Sequence, residues 1–489
     1  MSDSKIIDFE KYEAVIGLEV HAQMLTKSKA YCSDPYTYGG EPNTQVSPIS
    51  LGHPGTLPKH NKVVVENAIK MGIACNCEIA SHQYYARKNY FYADLPKGYQ
   101  ITQDKTPICT AGKISIRMKD GSERLIGITR IHMEEDAGKS MHDQDVYHSL
   151  IDLNRAGVPL IEIVSEPDIR TGEEAYQYIS EIRKLVRYLD ICDGNMEEGS
   201  LRCDANISVR IKGASAFGTK VEVKNMNSMR NVQRAIDFEI ERQITALETG
   251  ETIYQETRNF DAIKGRTLTM RSKEGASDYR YFPEPDLPPL HITASFLEAV
   301  KAKMPELPSA LFEKFTKAIG LSEYDAQVLT ENKDIAAYFE AILKHTNNAK
   351  AAANWLMVNI KGYLNEQALE INDFVLQPAK IAEIISLIDE NKISNSAASQ
   401  RLFPAMLEEH HLSALQLAEK LNLLQESDSG ELNKWIADAL AKYPEKVAEY
   451  KAGKKSLTGL FMGEVMKSSK GKADPKAATS LLIEALEKS

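Results

Sequence analysis

Between residues 131 and 206, acidic, amide and imidazole side chains recur inside segments that are otherwise β-branched and apolar. His132, Glu134, Glu135 and Asp136 come first, then Asp152, Asn154 and Arg155, then Glu162 within an Ile-Val strand pattern. Arg202, Asp204 and Asn206 close the stretch. A fold does not place so many carboxylates beside its core unless a cation, a metal or a reacting group meets them. The pattern therefore points to a metal-using active site.

Gly17-Leu-Glu-Val-His21 ends an apolar run, and Glu19 and His21 are two apart, so on a strand they share a face. One carboxylate and one imidazole together can hold Mg²⁺ or Mn²⁺ when other segments complete the shell. The same pair also fits a strand-end histidine hydrogen-bonded to a neighbouring acid. Arg87-Lys-Asn-Tyr-Phe-Tyr92 interleaves cations with aromatics. Lys88 could neutralise phosphate there while Tyr90 or Tyr92 packs a base or ribose, or the stretch could be an amphipathic edge strand. Glu222 and Lys224 alternate on another strand and could pair. Arg271 and residues 278–284 form a mixed-charge aromatic segment that fits a structural network as well as a site. Ala137-Gly-Lys-Ser140 resembles the end of a phosphate-binding loop, but that motif needs glycine where this chain has Met133.

The elements that must position these residues follow from hydrophobic periodicity. Residues 12–20, 113–118, 123–131, 160–165, 205–211 and 220–223 are predicted strands, and 62–71, 171–189 and 229–249 predicted helices. Clustered strands without a regular βαβ rhythm predict an α+β domain around an antiparallel sheet. The proline-rich segment 283–289 is expected to leave that domain. From about residue 296 the chain turns to Ala, Leu, Lys and Glu at helical spacing, as at 334–344, 350–361 and 380–390, with a polar break at 426–430. Residues 451–489 hold eight lysines against four acids. Lys467, Lys470 and Lys472 flank a glycine and are candidates for phosphate contact, or for simple solvated surface.

Composition bounds the rest. A chain of 489 residues exceeds one ordinary core, so two or three domains are expected. With 43% hydrophobic and 26% charged residues it reads as a globular protein. No apolar run approaches the roughly 20 residues of a membrane helix, and the polar, acidic first residues are not those of a signal peptide. Six scattered cysteines suit a reducing cytoplasm better than a disulfide framework. A net charge of −10 argues against wrapping nucleic acid over the whole surface, though not against a local basic patch.

Five motifs in order carry a resemblance: Gly17 to His21, Arg87 to Tyr92, His132 to Lys139, Leu201 to Asn206, and Asp278 to Asp286. Together they resemble the family of B subunits of the aspartyl/glutamyl-tRNA amidotransferases over essentially the whole chain. The resemblance implies a catalytic cradle over residues 1–295, a helical domain over 296–408 and a small helical tail domain over 409–489 that binds tRNA. It implies a ligase that uses ATP and Mg²⁺ to phosphorylate the side-chain carboxylate of misacylated glutamyl-tRNA(Gln) or aspartyl-tRNA(Asn). Ammonia from a partner amidase (glutaminase) then displaces phosphate, within a cytoplasmic heterotrimer completed by a small third subunit. Glu19, His21, Glu134 and Glu222 are the metal-site residues so implied. Lys88 and Tyr90 would bind phosphate or line the ammonia entrance, Lys224 would meet phosphate or the substrate carboxylate, and Asp204 and Asn206 would complete the polar wall. Two alternatives are a non-catalytic tRNA-binding scaffold and a metal-dependent hydrolase, the latter separated by its lack of need for ATP.

Some relatives carry four cysteines for a structural zinc after the first strand. This chain keeps Cys32 but has Ser47 and Ser50 in the second pair, and a closed zinc site needs four such ligands. Elemental analysis of the purified protein should find no structural zinc; a stoichiometric content would refute this.

Overall fold

Alternation along one strand sorts the first half of the chain into a buried and a reactive face. In β1 (Tyr12–Gln23) Ile16, Leu18, Val20 and Ala22 are fully buried, while Glu19 and His21 between them are half-buried. Successive side chains of a strand point to opposite faces, so the apolar set goes to the core and the polar set to the other side. In the computed structural model, which describes residues 7–142, 144–272, 279–425, 429–469 and 473–488, β1 lies at the centre of a nine-stranded sheet.

The remaining strands of the first half are β2 (Glu78–Ile79), β3 (His82–Gln83), β4 (Ala86–Asn89), β5 (Tyr99–Thr102), β6 (Cys109–Arg117), β7 (Glu123–Glu135) and β8 (Lys139–Met141). They continue as β9 (Leu150–Asp152), β10 (Pro159–Ser165), β11 (Leu201–Ile211), β12 (Val221–Lys224), β13 (Glu256–Asp261), β14 (Arg266–Ser272), β15 (Arg280–Pro283) and β16 (Leu290–His291). The large sheet runs β14-β13-β12-β11-β1-β10-β7-β6-β2. Its pairs are antiparallel except β12 with β13, which run parallel. The expected antiparallel sheet is therefore mixed. The 21-residue helix between β12 and β13 is long enough to return the chain for a parallel entry.

Helices α1 (Lys62–Ala74), α2 (Gly172–Tyr188) and α3 (Met229–Thr249) pack on the apolar face, with Ile69, Met71, Ile179, Ile182, Val232 and Ile236 fully buried against it. Their ends are specified locally. Thr171 accepts from the Glu174 amide and Ser228 from the Asn231 amide, satisfying orphan N–H groups. Gly250 closes α3 at φ +80°, a left-handed conformation that glycine adopts without strain.

A three-stranded sheet, β15-β4-β5, is built on the other side. The proline-rich segment after β15 does not leave the domain. Glu284 returns its amide to the Tyr85 carbonyl at 2.8 Å, β16 pairs with β3, and α4 (Ala294–Lys301) packs on α1. The first compact unit spans Met1–Leu307.

The second unit, Pro308–Ser489, is helical throughout its described residues. The periodic stretches at 334–344 and 380–390 form helices Lys333–Leu343 and Pro378–Asp389. The stretch at 350–361 begins as Ala349–Asn354 and widens to a π-helical turn over Trp355–Ile360 before Lys361–Gln367. Near the end, Leu432, Ile436, Phe461, Val465, Leu482 and Leu486 form a separate buried cluster. The expected break at 426–430 falls largely outside the described residues, and helix Ser429–Lys442 follows it.

Leu18 lies directly behind the polar face, so Leu18→Ala should remove core packing without touching a functional group. A loss of ~2–5 kcal/mol is expected in chemical unfolding of the first unit. A loss under ~1 kcal/mol would mean that the sheet's apolar face is not the core described here.

Candidate active site

Register assembles the site from five adjacent strands. Glu19 lies opposite Asp204 on β11, and His21 opposite both Arg202 on β11 and Glu162 on β10. Glu162 in turn lies opposite His132 on β7, Leu160 opposite Glu134, and Asn206 opposite Glu222 on β12. Partners directly across an antiparallel ladder project to the same side. Residues distant in sequence thus form a polar grid that lines a cavity of ≈ 530 Å³.

Two groups on this grid have the composition of a divalent-cation site. His21, Glu134 and Glu162 form one, and Glu19, Asp204 and Glu222 the other, with ligand atoms in each within 4.8 Å of one another. Oxygen-rich sets with one imidazole suit Mg²⁺ or Mn²⁺. The electrostatics fit a cation in both. Burial, then the Glu162 charge, pushes the Glu19 carboxyl above its usual range. His21 stands 3.3 Å from Glu162 and 3.6 Å from Glu134. Burial works against its charged form, but the hydrogen bond and charge of Glu162, then the Glu134 charge, outweigh it and raise the imidazole. Glu162 is held well below the carboxylate range because His132 and His21 overcome its burial. His132 Nδ1 is buried with no hydrogen-bond partner among the described residues, a donor or acceptor left open at the site.

Cations approach from two directions. Lys224 contacts Asp204 and lies 3.2 Å from Glu222, so it stands on the second group. Burial opposes its charge, but Asp204 and Glu222 raise its pKa. Lys88 on β4 comes within 3.9 Å of Glu134 Oε2 and 4.9 Å of the Tyr279 ring centre. Burial is again outweighed by the Glu134 charge, which raises the ammonium. Tyr90 lies edge-on to Tyr92 and Tyr279, and burial keeps its phenol protonated. Asn206 donates to Glu19 Oε1 at 2.8 Å.

The small sheet that carries Lys88 is clamped from two sides. Glu135 accepts from the Ile101 amide at 2.8 Å and pairs with Lys97, while its carbonyl accepts from Gln100 at 2.6 Å. Arg87, facing away from Lys88, makes a bidentate pair with Glu284 at 2.7 and 2.9 Å, a third contact to Asp286, and a stack on Tyr99. Charge-assisted bidentate pairs fix geometry as well as adding energy.

The candidates in the first unit therefore converge: Glu19, His21, Lys88, Tyr90, Glu134, Asp204, Glu222 and Lys224 all line the one cavity, with Asn206 behind Glu19. Lys467 is exposed on helix Thr458–Ser468 in the second unit, and Lys470 and Lys472 lie outside the described residues, as does Asp278. Sequence reasoning placed Glu162, His132, Arg202 and Asp136 in the acidic stretch that points to a metal-using site but gave none of them an individual role. The signal for Glu162 was present, as a single carboxylate inside an otherwise apolar seven-residue strand. Where zinc would bind in some relatives, Ser50 donates to Asp34 at 2.6 Å and accepts from the Ser47 amide at 3.0 Å. Burial pushes the neighbouring Cys32 thiol up to about 11.

Among known proteins, residues 14–298 match the family model described as the GatB/GatE catalytic domain, and residues 337–486 match that described as the GatB domain. A Synechococcus sp. protein, named as the B subunit of an aspartyl/glutamyl-tRNA(Asn/Gln) amidotransferase, is 51% identical over 482 residues, covering 98% of each chain. Proteins of the same name from Acaryochloris marina and Thermodesulfovibrio yellowstonii are 51% and 49% identical, covering 98% of this chain and 98% and 100% of theirs. No helix among the described residues is long and apolar enough to cross a membrane.

Manganese binding to the purified protein, followed by electron paramagnetic resonance, checks the two groups. Glu162→Gln and Asp204→Asn should each weaken it by at least the roughly 10–100-fold that loss of an outer-shell partner costs. Unchanged binding in both would remove the metal assignment.

Proposed function

From the premise that this chain belongs to the GatB/GatE family, we propose that it is the amidating subunit of a tRNA-dependent amidotransferase. It acts on glutamyl-tRNA(Gln), aspartyl-tRNA(Asn) or both. The observation that carries the reading is the convergence of two groups that could hold a cation and two half-buried lysines in one cavity of the matched catalytic domain.

The chemistry takes two steps. A side-chain carboxylate oxygen of the misacylated amino acid attacks the γ-phosphorus of ATP, forming an acyl phosphate and releasing ADP. Ammonia then attacks the acyl carbon, the amide C–N bond forms, and inorganic phosphate leaves with the C–O electron pair. A carboxylate is a poor acyl donor and phosphate a good leaving group, so the first step makes the second feasible. Phosphoryl transfer needs alignment and charge neutralisation more than covalent help.

Mg²⁺ held by His21, Glu134 and Glu162, or by Glu19, Asp204 and Glu222, would neutralise charge on the transferring phosphate. Lys224 supplies a further positive charge on the β12 side and Lys88 on the β4 side. Asn206 orients Glu19 through its 2.8 Å hydrogen bond. The two oxygens of Glu134 divide their work. Oε1 faces His21, while Oε2 faces Lys88 and accepts from Thr102 at 3.4 Å. Oε2 would take a proton from ammonium, leaving nucleophilic ammonia. Tyr90, with its neutral phenol, lines the approach.

Glutamine hydrolysis and ammonia delivery fall to an amidase partner, with a small third subunit in the complex. Along the chain, the catalytic cradle is followed by a helical domain and then by the tail from residue 409 onward. That tail, with Lys467, Lys470 and Lys472, contacts tRNA, and the complex works in the cytoplasm.

The test uses the assembled complex with glutamyl-tRNA(Gln), ATP and Mg²⁺, and ammonium chloride replacing glutamine. Glu134→Gln should lower the rate of amide formation by roughly 10²-fold or more while tRNA affinity stays within twofold of wild type. Equal product from mutant and wild type would move the chemistry off this residue.

A further inference from the structure

Of the charged side chains that line the reactive cavity, two have no part in the network above: Arg130 and Asp104. Arg130 stands half-buried on β7, and its Nε is buried without a hydrogen-bond partner among the described residues. No carboxylate among those residues pairs with its guanidinium. Asp104, exposed just beyond β5, likewise meets no cation or donor among them. The other charges of the lining are tied to partners, the histidines to Glu162 and the lysines to Glu134, Asp204 and Glu222. A half-buried guanidinium without a partner is costly to keep unless something arrives to meet it.

Both stand towards one end of the cavity. Residues 130, 132 and 134 share a face of β7, so Arg130 lies about 13 Å along the strand from Glu134. The chain from β5 runs the opposite way beside it. Gln100 donates to the Glu135 carbonyl at 2.6 Å, Thr102 donates to Glu134 at 3.4 Å, and Gln103 accepts from the Met133 amide at 3.1 Å. Each step forward from β5 therefore meets a residue further back on β7, and Asp104 is carried past Met133 towards the Arg130 end. Gln103 also accepts from the Ile108 amide at 3.2 Å, which pins the turn that holds Asp104. Tyr281, on the same lining, feels both neighbouring charges: burial raises its phenol, Lys88 opposes this and Asp104 adds to it.

An unpaired cation and an unpaired anion at one end of a cavity suit a ligand that carries both signs close together. In the proposed function, on which this inference rests, the amino acid is held to the tRNA through its α-carboxyl group. Its side-chain carboxylate must reach the metal groups. That leaves the α-ammonium as its one cation and the adjoining phosphodiester as the next anion. We infer that this end of the cavity is an aminoacyl-ester subsite, in which Asp104 receives the α-ammonium and Arg130 the phosphodiester beside the esterified ribose. Two contacts of opposite sign orient the amino acid, with its side chain directed along β7 towards Glu134. The contact to Asp104 also makes the site select for a free amino group.

The assembled complex, with ammonium, is given glutamyl-tRNA(Gln) or its 2-hydroxyglutaryl counterpart, in which a neutral hydroxyl replaces the α-ammonium at nearly the same size. Wild type should favour the glutamyl substrate in kcat/KM by roughly 10-fold, the low end for a hydrogen bond to a charged group, because Asp104 is exposed. Asp104→Asn should bring the two substrates within about twofold of each other. For Arg130 the readout is salt. On a log–log plot of kcat/KM against salt concentration, Arg130→Gln should flatten the slope by about 0.7, one phosphate contact on a single strand, with the KM for ATP unchanged. Arg130→Lys keeps the charge and should keep the slope, which separates a lost contact from a lost fold. A preference that is absent in wild type, or that survives in Asp104→Asn, overturns the subsite. So does an Arg130→Gln slope equal to that of wild type, or a raised KM for ATP, which would put an ATP phosphate there instead. In each of these cases ATP-dependent product still forms and the proposed function stands; a wild-type complex that forms none overturns both.

Discussion

Burial of many carboxylates on one face of a sheet whose other face is the hydrophobic core is the constraint on which this fold depends. Each carboxylate near the core loses hydration, and several together repel one another. The five central strands answer with positive charge from three sources: His21, whose imidazole Glu162 and Glu134 raise, Arg202 and Arg155 on Asp136, and lysines from outside the five-strand core or at its edge. Asp136 shows the balance. Burial would raise its carboxyl, yet Arg202 and Arg155 hold it below the ordinary range. It serves as a settled structural anion. Glu19, raised by burial and by Glu162, is not settled in the same way, and such a carboxylate gains most from an added cation.

This division explains why the small sheet must be so firmly attached. Lys88 lines the cavity only while it stays over Glu134, and a strand of four residues has little of its own to hold it there. The Glu135 clamp ties β5 to β7, and the Arg87–Glu284 pair ties β4 to the segment after β15. Both carboxylates are almost wholly buried, so the clamps work in a less polar setting than surface ion pairs and are screened less by salt. Neighbouring residues face opposite ways throughout: Glu134 lines the cavity and Glu135 holds the scaffold, Lys88 lines the cavity and Arg87 holds the scaffold.

Much of this was legible in the sequence, for identifiable reasons. A period of two along residues 12–23 announces a strand with one apolar face, and it alone puts Glu19 and His21 side by side. Helix α3 begins and ends where Ser228 and Gly250 require. Pairing register was not legible. Nothing local says that His21 lies between Arg202 and Glu162, or that Glu162 meets His132, because those partners lie on separate strands far along the chain. The parallel entry of β13 was hidden for the same reason. The proline-rich segment misled because stiffness and poor helicity describe an edge strand as well as a linker, and only the pairing of β16 with β3 tells them apart.

The cations now on the grid also bear on how the two ligand groups must differ in use. In the first group His21 on the central strand is raised by Glu162 and Glu134, and an imidazole that releases its proton can donate a lone pair to an ion. The second is neutralised by Lys224, whose ammonium has no lone pair to offer and whose pKa is raised. A cation entering the first group therefore exchanges with a proton, while one entering the second must displace a side chain. Lys224 has a flexible four-carbon stem, so displacement would swing its ammonium away from Asp204 and Glu222 and leave it available to an anion. The two groups are alike in composition but unequal in what must happen before either is filled.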